Sequence, residues 1–323
     1  MELVLLKKRD SQMIKGIAIL AVMISHMSYI MTIPSKIEIL IHPLGYLGVS
    51  LFLFVSGYGC VISAGNYKNK RLVFLGHRLK KIVPMLALIT VVSVLLHIYI
   101  YIYICSYNYI SIFLNATGIS NSISRFTWYI TFQYFWYILF VILWIDHYKL
   151  YWLGALVVYV ISFAFKCPEI QFNMWGLNCI SFPLGVYFAL KQEQIILIIT
   201  RKKRLILLFT FLSLVVLFAI CYLVLGNPSD LRIQNLLKSL ISGLFVILIV
   251  FVIYLYEKKI KKNLIRGLVF VGNISYELYL VHGFWVFLFR EFFEPEQIWK
   301  IVFYIITSFS IAFLIHKIYK KYG

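Results

Sequence analysis

The stretch Pro43–Ala64, PLGYLGVSLFLFVSGYGCVISA, contains no Asp, Glu, Lys, Arg or His over 22 consecutive positions. An α-helix rises about 1.5 Å per residue, so roughly 20 apolar residues cross the ~30 Å hydrocarbon core of a bilayer. A helix also satisfies its own backbone amides, which lipid cannot do. This stretch therefore predicts a membrane-spanning helix.

Composition extends this prediction to the whole chain. Of 323 residues, 62% are hydrophobic and only 13% are charged, and the mean hydropathy is +0.90. Soluble domains carry about a quarter charged residues. We predict an all-α, polytopic membrane protein with about ten transmembrane helices. The predicted spans are 14–33, 43–64, 82–104, 126–145, 150–165, 173–190, 205–225, 233–256, 267–289 and 298–316.

The basic residues give the orientation. If the N-terminus is cytoplasmic, all but seven of the 31 Lys and Arg residues fall in cytoplasmic segments, as the positive-inside rule requires. The seven on the outer side are Lys36, Arg125, Lys166, Arg232, Lys238, Arg290 and Lys300. We therefore expect both termini in the cytoplasm. Orientation then explains most of the +19 net charge, and we expect no nucleic-acid partner.

The chain shows no sign of a second domain. No low-complexity linker or convincing internal repeat interrupts it, which predicts one membrane-embedded domain over 1–323. The first apolar run is long enough to span and lacks a small-x-small cleavage site, so we do not expect a signal peptide. The five cysteines form no metal-binding spacing, so we expect no metal site. A disulfide between Cys105 and Cys167, near the predicted outer face, stays open.

Ionisable groups inside the predicted spans are costly in lipid and are therefore candidates for function. His26 lies 11 residues beyond Lys15 in the first span, which is about 16 Å along a helix. A snorkelling lysine and a histidine bonded to a neighbouring helix explain this pair equally well. Glu277 and His282 lie five residues apart in a late span, among Asn, Ser and Tyr residues. Because a buried carboxylate needs a partner or a proton, this segment favours a site or its support.

Two further groups of residues attract attention. Arg78 and Lys81 open the third span on the cytoplasmic side, where they are able to clamp phosphates. A stop-transfer cluster that pairs with anionic lipid is the alternative. Ser56 and Tyr58 lie in the second span, and Trp128 and Tyr129 lie at the outer start of the fourth. Helix packing and the interfacial aromatic belt are the ordinary explanations for these four.

Taken in order, these segments resemble the acyltransferase family 3 membrane proteins, which O-acylate bacterial surface polysaccharides. Lys15-x10-His26 is similar to that family's Arg/Lys-x10-His motif, and Leu51–Tyr58 to its Phe-Phe-x-x-Ser-Gly-Tyr segment. Arg78-x-x-Lys81-Ile82-Val83-Pro84 resembles its Arg-x-x-Arg-Ile-x-Pro motif. Thr127-Trp128-Tyr129 and Ile274–His282 are similar to its fourth-helix and late-helix signatures. Two features depart from the family: Lys81 replaces the usual Arg, which gives up a bidentate grip on phosphate, and the SGNH-type hydrolase domain of some members is not present.

The resemblance implies a multi-pass O-acyltransferase, most directly an O-acetyltransferase, of the bacterial inner membrane. It implies acetyl-CoA as donor, without a metal, and a carbohydrate hydroxyl as acceptor. His26 would act as general base, since imidazole exchanges protons near neutral pH; a covalent acyl intermediate stays open. The implied site residues are His26, Glu277 and His282 for catalysis, Lys15, Arg78 and Lys81 for the donor, and Ser56, Tyr58, Trp128 and Tyr129 for the substrate.

Two alternatives stay open on the sequence alone. A transporter of a polysaccharide precursor or small solute suits ten spans with intramembrane Glu and His, and it predicts internal repeats and broken helices. A non-catalytic scaffold in a polysaccharide assembly complex has no need for buried charge. Binding of acetyl-CoA by the purified protein would separate these classes. The acceptor, the acylated position, the acyl length and the oligomeric state do not follow from the sequence.

Overall fold

The computed structural model describes residues 4–31, 33–67, 70–100, 108–123, 125–167, 169–224, 226, 229–292 and 299–322. Within these ranges the protein is helical and contains no β-strand. The α-helices are α1 Lys8–His26, α2 Ser35–Ile41, α3 Leu44–Ala64, α4 Arg71–Ile100, α5 Tyr109–Ala116, α6 Trp128–Leu143, α7 Leu150–Ala164, α8 Phe172–Gly176, α9 Ser181–Leu190, α10 Gln192–Arg201, α11 Lys203–Ala219, α12 Leu231–Tyr256, α13 Lys262–Asn273, α14 Ser275–Phe292 and α15 Trp299–Tyr322.

The helices define a multi-pass membrane protein. Among the described residues, six helices are long and apolar enough to cross a bilayer, and two bent helix pairs raise this number to eight if each pair is one span. The sequence predicted about ten. The prediction counted α7, which is apolar but only 15 residues long. It also counted 82–104, whose last residues lie outside the described part of the chain.

Exposed apolar faces mark the contact with lipid. On α11 at least half of the surface of each of four residues is exposed: Leu208, Phe209, Leu212 and Val216. A continuous apolar surface of this kind is unstable in water but matches hydrocarbon. Helix α11 therefore presents one of the lipid-facing surfaces of the helix bundle.

Helix α1 lies against two neighbours, α3 and α13, and α3 packs in turn against α9. Two glycines allow the backbones of α1 and α13 to touch. A Cβ added to Gly272 would overlap the carbonyl oxygen of Gln12, and one added to Gly16 would overlap that of Leu268. Small residues permit such close approach between membrane helices. This contact fixes α1, which carries both Lys15 and His26.

The predicted continuous span 267–289 is wrong in one respect, because it is broken. Helix α13 ends at Asn273 and α14 begins at Ser275, with a bend of 71° between them. The sequence carries a signal for the break, since Gly, Asn and Ser within Gly272–Ser275 are weak helix formers. The bend buries the first turn of α14, where Ser275 and Glu277 are 4% and 6% exposed.

The second bent pair joins Phe172–Leu190 to α10 at 88°. The apolar stretch 195–199, which is too short to cross a membrane, lies in α10, and its Ile195, Ile196 and Ile199 are buried against the protein. Helix α10 therefore turns away from the preceding span.

The structure does not test the predicted possibility of a disulfide between Cys105 and Cys167. Cys105 lies outside the described residues, and Cys167 is a free thiol whose Sγ donates to Glu169 Oε2 at 3.1 Å.

Candidate functional site

A cavity of about 1050 Å³ lies where α1 begins and α15 ends, with walls from α1, α3, α4, α6, α14 and α15. Its charged lining residues are Lys8, Lys15, Arg78, Lys81, Lys320 and Glu277. Five cations therefore face one carboxylate. In a partly desolvated site this imbalance attracts a ligand with several negative charges.

Arg78 is held in place by the end of α3. Its Nη2 donates to the Gly59 carbonyl oxygen at 2.9 Å and to Ser63 Oγ at 2.6 Å. The guanidinium carbon also lies 5.1 Å from the centre of the Phe74 ring. None of these partners carries a negative charge, and no carboxylate among the described residues pairs with Arg78. The guanidinium is thus fixed in position while its charge stays uncompensated.

Pro84 shapes the helix that carries these cations. Because proline has no N–H, the carbonyl oxygen of Lys80 loses its partner in α4. The Tyr319 hydroxyl of α15 donates to that oxygen at 3.4 Å, and the Tyr276 hydroxyl of α14 donates to the Ile82 oxygen at 2.7 Å. Both bonds tie α4 to the helices on the opposite wall of the cavity.

A pair of histidines lies beyond the inner end of the cavity. His26 Nδ1 is 2.9 Å from His282 Nε2, and the two rings are stacked with centres 5.1 Å apart. His282 Nδ1 lies 3.0 Å from the Leu278 carbonyl oxygen, which accepts hydrogen bonds only. His282 therefore carries its proton on Nδ1 when neutral, and its Nε2 accepts the Nδ1–H of His26. This order of bonds leaves the lone pair of a neutral His26 on Nε2, ready to accept a proton.

Three aromatic side chains that pack on one another line the cavity, and we call them the aromatic partition: Phe52, Tyr129 and Tyr279. Tyr279 is the member that also reaches the histidine pair. The Tyr279 ring lies 5.4 Å from that of Tyr129 and 5.6 Å from that of His282. Its hydroxyl donates to the carbonyl oxygen of Phe126 in a short hydrogen bond. One residue, Tyr279, thus belongs to the cavity wall and to the surroundings of the histidines.

A chain of hydrogen bonds runs along the cavity wall. The Tyr129 hydroxyl donates to Gln133 Oε1 at 2.7 Å, Gln133 Nε2 donates to Ser56 Oγ at 2.6 Å, and Ser56 Oγ donates to the Tyr137 hydroxyl at 3.0 Å. Sequence reasoning missed Gln133, which is 2% exposed. The signal was present, because an amide inside an otherwise apolar span needs a partner as much as a charge does.

The structure brings most of the predicted site residues together. Lys15, Arg78, Lys81, Ser56, Tyr129 and Glu277 line the cavity, and His26 and His282 form the adjoining pair. Two side chains do not lie in the cavity wall. The Tyr58 hydroxyl donates to Gln192 Oε1 at 2.8 Å and accepts the Leu6 N–H at 3.2 Å, and Trp128 packs in the hydrophobic core.

Glu277 contacts a histidine that the sequence did not single out. Its Oε1 is 2.7 Å from His316 Nδ1. Glu277 therefore joins α14 to α15 beside the cations, whereas the histidine pair beyond the partition is oriented by a backbone carbonyl. His316 was missed because its spacing from Glu277, 39 residues, follows no local motif.

These features define an all-helical, multi-pass membrane protein with a cationic cavity beside a pair of histidines. The comparison with protein families makes the assignment specific. The sequence profile of an acyltransferase domain matches residues 10–317, which is essentially the whole chain. The chain therefore belongs to acyltransferase family 3. Searches of curated proteins and of solved structures find no match to it.

Proposed function

We propose that this acyltransferase moves an acetyl group from cytoplasmic acetyl-CoA to a hydroxyl of a cell-surface carbohydrate or of its lipid-linked precursor. One observation carries the proposal: the cationic cavity and the histidine pair share Tyr279 as a common wall. A donor with phosphates at one end and a thioester at the other matches this arrangement, since charge recognition and chemistry are then separated in space.

The donor end of the site is the group of uncompensated cations. Lys15, Arg78 and Lys81 bind the phosphates of the donor, and the N-terminal turn of α14 at Ser275 adds backbone N–H groups that favour anions. Along α1, Lys15 and His26 are separated by about 16 Å. The pantetheine arm bridges this separation and brings the thioester past the aromatic partition.

The reaction begins when His26 Nε2 takes the proton of the acceptor hydroxyl. The hydroxyl oxygen forms a bond to the thioester carbonyl carbon, and the carbonyl π electrons move to its oxygen. When the C–O double bond re-forms, the C–S bond breaks and its electron pair leaves on the CoA sulfur. The imidazolium then returns its proton to that thiolate. The products are the ester and free CoA, and His26 is neutral again.

His282 acts as a positioning residue for this step. By accepting the Nδ1–H of His26 it keeps the lone pair of His26 on Nε2. Glu277 does not contact either ring, so we assign it to the wall of the donor site together with His316.

The proposed topology has ten spans in a bacterial inner membrane, with both termini in the cytoplasm and a single membrane domain that completes the transfer. Two observations support it. The distribution of Lys and Arg along the chain follows the positive-inside rule. Lys8 near the N-terminus and Lys320 near the C-terminus also line the same cavity, which supports a common side for both ends of the chain.

One feature of the structure suits the transporter alternative, but the family membership of the chain argues against it. It predicts broken helices, and two bent helix pairs are present. One of these bends places the start of α14 in the wall of the cationic cavity, which serves a donor site equally well. Membership of an acyltransferase family decides for transfer.

Donor binding by the full-length protein in lipid nanodiscs tests the proposal. We expect acetyl-CoA to bind, and Arg78→Ala to weaken its affinity by about tenfold or more, because a charge-assisted contact to phosphate is lost. Lys80→Ala is the matched control, since Lys80 is an exposed cation of the same helix outside the cavity wall. Equal acetyl-CoA affinity in wild type and Arg78→Ala would leave the stop-transfer explanation of these cations.

The chemical role of His26 needs a separate measurement. Acetylation of polymer in membranes containing His26→Ala should be abolished at equal protein level, while acetyl-CoA binding is preserved. Undiminished acetylation would remove His26 from the mechanism.

A further inference from the structure

A second cationic group lies at the other end of α1, away from the donor cavity. Lys238, in the second turn of α12, is 6% exposed. Its ammonium group lies 5.7 Å from the centre of the Tyr222 ring and 6.0 Å from that of Tyr46. No carboxylate among the described residues forms an ion pair with it. A buried lysine in a membrane protein is costly, and contacts with two rings offset only part of that cost.

The two tyrosines are arranged to leave one hydrogen-bond donor unused. The Tyr222 hydroxyl donates to the Tyr46 hydroxyl at 3.3 Å. The Tyr46 hydroxyl is then an acceptor in that bond, so its own proton is available to an oxygen that approaches Lys238. A cation and a hydroxyl donor on one side of two aromatic rings make a site for an oxyanion attached to a sugar or similar ring.

This group is connected to the histidine pair. The Lys238 ammonium acts electrostatically on the His42 imidazole, which lies between α2 and α3, and His42 in turn acts on His26. The Tyr29 ring lies 6.4 Å from that of His42 and 5.7 Å from that of His26. Tyr29 and His42 are exposed and His26 is partly exposed, so His26 is the member of the histidine pair that lies beside this surface.

We propose that Lys238, Tyr46, Tyr222 and His42 form the acceptor subsite, and that it selects an acceptor carrying a carboxylate or phosphate close to the hydroxyl that is acylated. The inference rests on the proposed function and adds the chemical class of the acceptor. Lys238 then compensates the negative charge of the acceptor, and His42 and Tyr29 line the path from that charge to His26 Nε2.

The test measures binding of matched probes to the full-length protein in nanodiscs. One pair is a hexuronic acid oligosaccharide and the neutral oligosaccharide made from it by carboxyl reduction. The other is decaprenyl phosphate and decaprenol. We expect the wild type to bind one of the acidic probes at least about tenfold more tightly than its neutral counterpart. The pair that shows this preference identifies the source of the charge as a sugar carboxylate or a lipid phosphate.

Three variants assign the preference to Lys238. Lys238→Gln should abolish it, whereas Lys238→Arg should keep it because the charge is retained. Lys36→Gln is the matched control, since Lys36 is an exposed lysine of the neighbouring α2. Absence of any acidic preference in the wild type, or its persistence in Lys238→Gln, would overturn the proposal. Equal weakening of acidic and neutral probes, together with a lower melting temperature, would also overturn it by assigning Lys238 a structural role.

Failure of this inference is distinguishable from failure of the proposed function. Acetyl-CoA affinity is measured on the same samples, and the donor cavity shares no residue with this subsite. Loss of the acidic preference with intact acetyl-CoA binding rejects only the acceptor subsite. A wild type that prefers acidic probes but does not bind acetyl-CoA rejects the proposed donor.

Discussion

Replacement of His282 by leucine removes the acceptor of the His26 Nδ1–H without touching the donor cavity. In the wild type that bond is 2.9 Å long and its acceptor is buried, since His282 is 0% exposed. The substitution leaves a buried donor unpaired, which costs about 1–3 kcal/mol. Neutral His26 is then free to carry its proton on Nε2, the tautomer that is unable to act as base. If this cost falls on the transition state, kcat falls by roughly 5- to 160-fold.

The comparison variant is His282→Gln, whose amide oxygen reaches approximately the position of the ring Nε2. It restores an acceptor for His26 Nδ1–H but has no group that titrates near neutral pH. We expect it to retain kcat within about tenfold of the wild type, because only the geometry of a hydrogen bond is altered. The assay follows release of the CoA thiol and acylation of polymer in membranes, with acetyl-CoA affinity and melting temperature as controls.

The result separates three roles for His282. A wild-type kcat in His282→Leu would refute the positioning argument. An equal, severe loss in both variants would mean that His282 moves a proton itself and does not merely fix a tautomer. A raised KM for acetyl-CoA with unchanged kcat would place His282 in the donor site, contrary to the geometry.

Three further predictions follow from the cavity and the helix contacts. Gly59→Leu should weaken acetyl-CoA binding by about tenfold or more at unchanged melting temperature, because a Cβ at Gly59 meets no other atom and Gly59 lines the cavity. Gly65→Leu is the control: its Cβ is equally unobstructed but lies outside the cavity wall, so acetyl-CoA binding should not change. Gly272→Ala should destabilise the protein by about 1–3 kcal/mol through its overlap with Gln12, seen as a lower melting temperature, whereas Gly267→Ala, which meets nothing, should not. Glu277→Gln should reduce kcat less than about fivefold, since the amide still accepts from His316; a loss of a hundredfold in the same assay would restore Glu277 as a catalytic group.

Local pattern was sufficient to find many of the residues that the structure brings together around the cavity. Lys15 and His26 lie on one helix, so their spacing alone places one near the entrance of the cavity and the other beyond its inner end. Arg78 and Lys81 likewise follow from charge at the start of a span. In each case the information is carried by a few consecutive turns, which hydropathy and helical rise describe adequately.

The pairings across the fold did not follow from the sequence. His26 bonds a residue 256 positions away, and Glu277 bonds His316, which the sequence did not single out. Both depend on the break at Ile274, which rotates the start of α14 into the cavity wall. Average hydropathy over 267–289 conceals that break, because a bend changes the direction of a span without changing its composition.

The chemistry of the histidine pair suits its place in the membrane. A carboxylate hydrogen-bonded to His26 would bury a net charge before the reaction starts, whereas two neutral imidazoles ending on the Leu278 carbonyl bury none. Since no carboxylate among the described residues pairs with either histidine, the imidazolium formed in the reaction is stabilised mainly by the negative charge that develops on the thioester. Proton abstraction is therefore favourable only while a donor is bound. On this reasoning the wild type should not hydrolyse preformed esters in the absence of CoA, and ester hydrolysis at an appreciable rate without CoA would contradict it.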